Sequence, residues 1–89
     1  MTKYRKRPLI IEAIQWTGDN TPEVSAFLGD RLMGYSNSHD YLVFRTHPFK
    51  ASYRVNPGDW VVKDIDGEFV AVRPEVFEVA YEKVVRSQD

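Results

Sequence analysis

The sequence predicts an α+β fold: a small, curved, mainly antiparallel sheet of about five strands with two short helices. Three observations carry this expectation. β-Branched and aromatic residues gather in short runs separated by turn residues. Two other segments, opening at Thr21-Pro22 and at Pro74, space their apolar residues helically instead. The chain has 89 residues, which suits one domain (1–89) with a basic arm at 1–7 and a tail at 87–89.

The elements follow in order. Leu9 to Trp16 reads as a strand with apolar residues on both faces, hence a central one. Glu12 is the exception within it. Thr17-Gly18-Asp19-Asn20 is a turn cluster. Thr21 caps a helix, Pro22 suits its first position and Glu23 meets the positive end of its dipole. Val24, Phe27 and Leu28 form its apolar side, and Gly29 stops it. Asp30 to Asp40 is loop-like, with room for a short strand at Leu32 to Tyr35. Tyr41 to Thr46 and Ala51 to Val55 are strands joined through His47-Pro48-Phe49-Lys50. Asn56-Pro57-Gly58-Asp59 has the residues of a type II turn. Trp60 to Ile65 and Glu68 to Val72 flank Asp66-Gly67, a hairpin signal. A two-residue loop there pairs Val62 with Ala71 and Trp60 with Arg73, and sets Phe69 on the face of Trp60 and Val62. Pro74 opens the second helix. From Tyr81 the chain either continues that helix, with Phe77, Ala80, Tyr81 and Val84 as a stripe, or leaves it near Ala80 and forms a final strand over Tyr81 to Val85.

Composition narrows the function. Twelve Lys plus Arg against 13 Asp plus Glu leave a net charge of -1, which argues against a general polyanion binder. There is no cysteine, so disulfides and thiolate metal sites are excluded, and a reducing cytoplasm fits. No apolar run approaches the ~18 residues of a membrane span. A chain this short buries only about 60–65% of its unfolded surface, so its thin core favours assembly into a homo-oligomer.

The chemistry-bearing residues are few. The glycines are scattered, so no phosphate loop is present, and there is no nucleophile elbow. His39 beside Ser36, Ser38 and Asp40 reads as a solvated turn rather than a triad. His39 and His47 do not make a metal set. Glu12 reads as a solvent-facing carboxylate paired with Arg45, Arg54 or Arg73, ahead of a buried carboxylate. Lys3, Tyr4, Arg5, Lys6 and Arg7 combine phosphate-binding charge with a stacking ring, although terminal basic arms are commonly plain solubility tails. Arg45, Tyr53, Arg54, Trp60 and Arg73 are the candidates for a pocket holding a planar anion.

A set of motifs adds a resemblance. Tyr4-Arg5-Lys6-Arg7-Pro8 runs into Ile11-Glu12-Ala13-Ile14-Gln15-Trp16-Thr17-Gly18. Pro57-Gly58-Asp59-Trp60, Gly67-Glu68-Phe69 and Pro74-Glu75-Val76-Phe77 with Tyr81-Glu82 follow. Together these resemble a family of small phage and prophage proteins of unknown function, similar to the PGDYG type of domain, with Trp60 where that motif carries tyrosine. Asp30 to Lys50 departs from the pattern. The resemblance implies a phage or prophage origin and expression in the bacterial host cytoplasm, and it brings no catalytic residues.

The expected function is therefore non-catalytic binding, with no cofactor and no metal. The leading form is capture of a small anionic or nucleotide-like ligand. The alternative is a module that binds a host or phage protein through an exposed aromatic surface or an edge strand. Weak nucleic-acid binding through the arm comes third. A pocket of arginine and aromatics favours the first, and a flat apolar patch favours the second.

Overall fold

The computed structural model describes residues 2–3, 10–36, 40–46 and 51–83. It is α+β with mainly sheet. Among the described residues, six strands form two antiparallel sheets of three, not one sheet of about five. In chain order the elements are β1 (Glu12–Gln15), α1 (Thr21–Leu28), a 3-10 turn (Gly29–Arg31), β2 (Leu32–Tyr35), β3 (Leu42–Arg45), β4 (Ser52–Val55), β5 (Trp60–Lys63), β6 (Phe69–Val72) and α2 (Pro74–Ala80). The sheet orders are β1-β5-β6 and β2-β3-β4. The extra strand is β2, which pairs with β3 across an irregularity between Leu32 and Gly34.

The division into two sheets has a local cause. Asp59 donates its N–H to the Asn56 carbonyl at 2.9 Å, and Gly58 has φ 98°, as a type II turn requires. Yet β4 and β5 do not pair as a hairpin. Gly58 N–H donates to the Trp16 carbonyl, and Trp16 N–H donates to the Asp59 carbonyl, at 2.6 and 2.9 Å. Gln15 Nε2 adds a bond to the Gly58 carbonyl at 3.0 Å. The turn's backbone groups are thus taken by the end of β1, and β5 continues along β1 rather than folding back on β4.

For the same reason β1 lies at a sheet edge, not at the centre. The apolar run that suggested a central strand extends past the paired residues at both ends. Ile10 is exposed before β1, and Trp16 is buried after it. Leu9 lies outside the described residues.

The core lies between the sheets. It joins Trp16, Val24 and Leu28 of α1, Leu42, Phe44, Val55, Val61 and Phe69. Phe69 meets Phe27 and Phe44 edge-on, at centroid distances of 5.5 and 6.4 Å. The cap of α1 is Asn20 rather than Thr21. Its side chain does not cap the helix. It fastens the preceding turn instead, accepting from Thr17 N–H and donating to the Gln15 carbonyl at 3.0 and 2.7 Å.

The β5–β6 hairpin corrects the expected register by one residue. Val61 pairs with Ala71 and Val62 with Val70. Asp64 N–H donates to the Glu68 carbonyl and Gly67 N–H to the Asp64 carbonyl, so the loop has three residues, with Gly67 at φ 87°. This is a type I turn closed by a left-handed glycine. The shift of one residue exchanges faces. Phe69 therefore shares its core face with Val61, while Trp60 and Val62 face the other side. A Cβ at Gly67 meets nothing within 4 Å, so only its dihedral resists substitution. Gly67→Ala is expected to cost about 1–2 kcal/mol, and Gly67→Asn less, because asparagine tolerates this region. Urea unfolding of both variants checks the order.

The two helices do not cover one face together. α1 closes the core, and α2 packs on the opposite side of β5 through Phe77 and Trp60. α2 ends at Ala80, as the second expected reading had it, and Tyr81 is extended at φ -130° and ψ 152°, but residues 81–83 join no sheet, so the final strand of that reading is not formed there. Val84 and Val85 lie outside the described residues. No helix among the described residues is long and apolar enough to cross a membrane.

Candidate functional site

The arrangement around α2 departs most from an ordinary packed helix. No residue of α2 is buried. Pro74 fixes its start and sits half-buried beside Gly58, and Phe77 and the following Tyr81 are the other half-buried residues. The Trp60 and Phe77 rings lie 3.9 Å apart and within 3° of parallel, and Tyr81 stacks on Phe77 at 4.9 Å. Three rings thus form a column from β5 to the end of the helix. Val76 and Val79 stand away from it, 52% and 89% exposed. They are three residues apart and so form one ridge. Glu75 and Glu78, also exposed, flank that ridge, and exposed Glu82 follows the helix. The result is an apolar ridge with an acidic rim.

The candidate residues from the sequence fall in separate places. Arg45 and Arg54 are exposed on β3 and β4. Leu42, Phe44 and Val55 on these strands point into the core, so both arginines occupy the outer face of the second sheet. Tyr53 is on the inner face, stacked on Phe44 at 5.2 Å. Trp60 belongs to the ring column on the first sheet. Arg73 is exposed and precedes α2 as its cap residue. The structure therefore groups Arg45 with Arg54, and Trp60 with α2, and sets Tyr53 in the core. Lys3 is exposed, whereas Tyr4, Arg5, Lys6 and Arg7 lie outside the described residues, as do Ser38, His39 and His47.

A shallow groove of about 490 Å³ lies elsewhere, between Ile10–Glu12 and Lys63–Gly67 at the hairpin tip. Glu12 lines it, exposed and opposite Lys63 in the β1–β5 register. Its rim is short of arginine and aromatic rings, unlike the pocket the sequence suggested.

Arg31 is the arginine that is ion-paired among the described residues. Its Nη1 lies 3.4 Å from Glu68 Oε1, and its guanidinium sits 5.8 Å from the Phe69 ring centroid. Such a part-exposed pair is worth at most about 1 kcal/mol.

Sequence reasoning did not single out Val76 or Val79, and it read Phe77 and Tyr81 as an apolar stripe without linking them to Trp60. The i, i+3 spacing of Val76 and Val79 was available, but their exposure depends on where the helix ends and which side meets β5. Comparison with family models, curated proteins and solved structures finds no match for this chain.

Proposed function

We propose that this chain is a non-catalytic accessory protein of phage or prophage type that acts by binding another protein. The phage assignment rests on the motif resemblance. The mode of action rests on one observation: α2 buries none of its residues while Val76 and Val79 stand exposed above the Trp60–Phe77–Tyr81 column. A helix of seven residues has little stability of its own, and its packing rests on that column. Exposed valines on such a helix lower the free energy only when a partner covers them. The acidic rim of Glu75, Glu78 and Glu82 selects a partner with an apolar centre and basic flanks.

The test is affinity purification from infected bacterial cells with the natural chain and with a Val76→Asp/Val79→Asp variant. Both valines are surface residues, so the variant should unfold at nearly the natural denaturant midpoint. A protein retained by the natural chain and lost with the variant is the expected result. Equal retention by both removes α2 from the binding surface.

A further inference from the structure

The outer face of the second sheet carries an arginine pair that the α2 surface does not use. The register sets Val43 opposite Arg54 and Arg45 opposite Ser52. The Arg54 guanidinium carbon lies over the Tyr41 ring, 4.0 Å from its centroid. Its Nε donates to Asn56 Oδ1 at 3.1 Å. Asn56 is itself fixed, because its backbone N–H donates to Asp59 Oδ2 at 3.0 Å. One edge and one face of the guanidinium are therefore held, while Nη1 and Nη2 have no partner among the described residues. Arg45 lies diagonally across the strand pair, on the other side of Val43 from Tyr41, so its long side chain has to extend past Val43 to share a ligand with Arg54. Neither has a carboxylate within 4 Å among the described residues, in contrast to Arg31.

We propose that Tyr41, Arg45, Arg54 and Asn56 form a phosphate-binding face. Tyr41 and Asn56 are positioning residues that hold the Arg54 fork outward. Two guanidinium forks offer more donors than a single carboxylate accepts, whereas a phosphate group has oxygens for both. The phosphate could be that of a free nucleotide or of a nucleic-acid backbone. This face lies on the second sheet, whereas the Val76–Val79 ridge belongs to α2 on the first, and the proposal does not rest on the protein-binding reading.

The experiment titrates the natural chain, Arg54→Lys and Arg45→Ala with three probes: inorganic phosphate, acetate, and a short single-stranded oligothymidylate. Binding is followed by amide and arginine Nε chemical shifts. Expected is saturable phosphate binding that shifts Arg54 Nε, weakened about tenfold by Arg54→Lys, because lysine keeps the charge but not the fork. Arg45→Ala weakens it too. The Val76→Asp/Val79→Asp variant binds phosphate normally. Oligonucleotide binding that is tighter than phosphate and steeply salt-dependent assigns a nucleic-acid backbone, and binding no tighter assigns a free phosphate compound. Absence of saturation with phosphate and oligonucleotide, equal affinity for acetate, or unchanged binding in Arg54→Lys overturns the proposal.

Discussion

Replacing Trp16 with alanine is expected to cost about 3–5 kcal/mol of folding stability. A domain of this size has only about 4–13 kcal/mol in total, so much of it would be lost. Trp16 is fully buried and touches the core from the end of β1. Its backbone holds the Gly58–Asp59 turn through two hydrogen bonds, which survive the substitution. The loss is therefore one of packing, and the cavity lies where α1 and both sheets meet. Trp16→Phe should cost much less. The indole Nε1 is buried with no hydrogen-bond partner, so phenylalanine removes an unsatisfied donor as well as volume. Urea unfolding followed by far-ultraviolet dichroism measures both variants. A cost below about 1 kcal/mol for alanine would contradict the placement of Trp16 at the centre of the core.

Phe77→Ala is expected to act on α2 alone. The ring is half-buried and lies between Trp60 and Tyr81, so its removal breaks the column at its middle. The cost to stability should be about 2 kcal/mol, less than for a core phenylalanine, because much of the ring already meets solvent. The larger effect is local. Without the ring, seven residues opened by Pro74 have little to hold them against β5, and the Val76–Val79 ridge loses its orientation. Amide exchange should accelerate in residues 75–81 while the β3 and β5 amides keep their protection. Partner binding should fall as far as in Val76→Asp/Val79→Asp. Unchanged exchange in α2 would show that something other than the ring column holds the helix.

Much of the fold was legible because local signals agreed with global ones. Pro22 with Val24 and Leu28 marked α1, and the type II turn at Pro57-Gly58 stands where its residues place it. What failed depended on partners distant in sequence. Nothing local in Asn56 to Asp59 says that Trp16 will take its backbone groups, and that capture divides the sheet. The hairpin register turned on whether Asp66-Gly67 closes a loop of two residues or three. Both are consistent with an Asp-Gly pair, and only the Asp64–Glu68 bonds decide it. Arg45 and Arg54 were legible as strand arginines, but only within a set with Tyr53, Trp60 and Arg73 that the structure distributes over separate places. Tyr41, which carries the Arg54 guanidinium, was seen only as a strand aromatic.

The claim that α2 is a docking surface is tested most directly by a photocrosslinking side chain at position 79, with position 45 on the outer face of the second sheet as control. Position 79 is on α2, which packs on the first sheet, and position 45 is on β3 of the second. Irradiation in infected bacterial cells should give an adduct with one basic-flanked protein from position 79 and none with it from position 45. The same adduct from both positions, or an adduct from position 79 only with a second copy of this chain, would contradict the account.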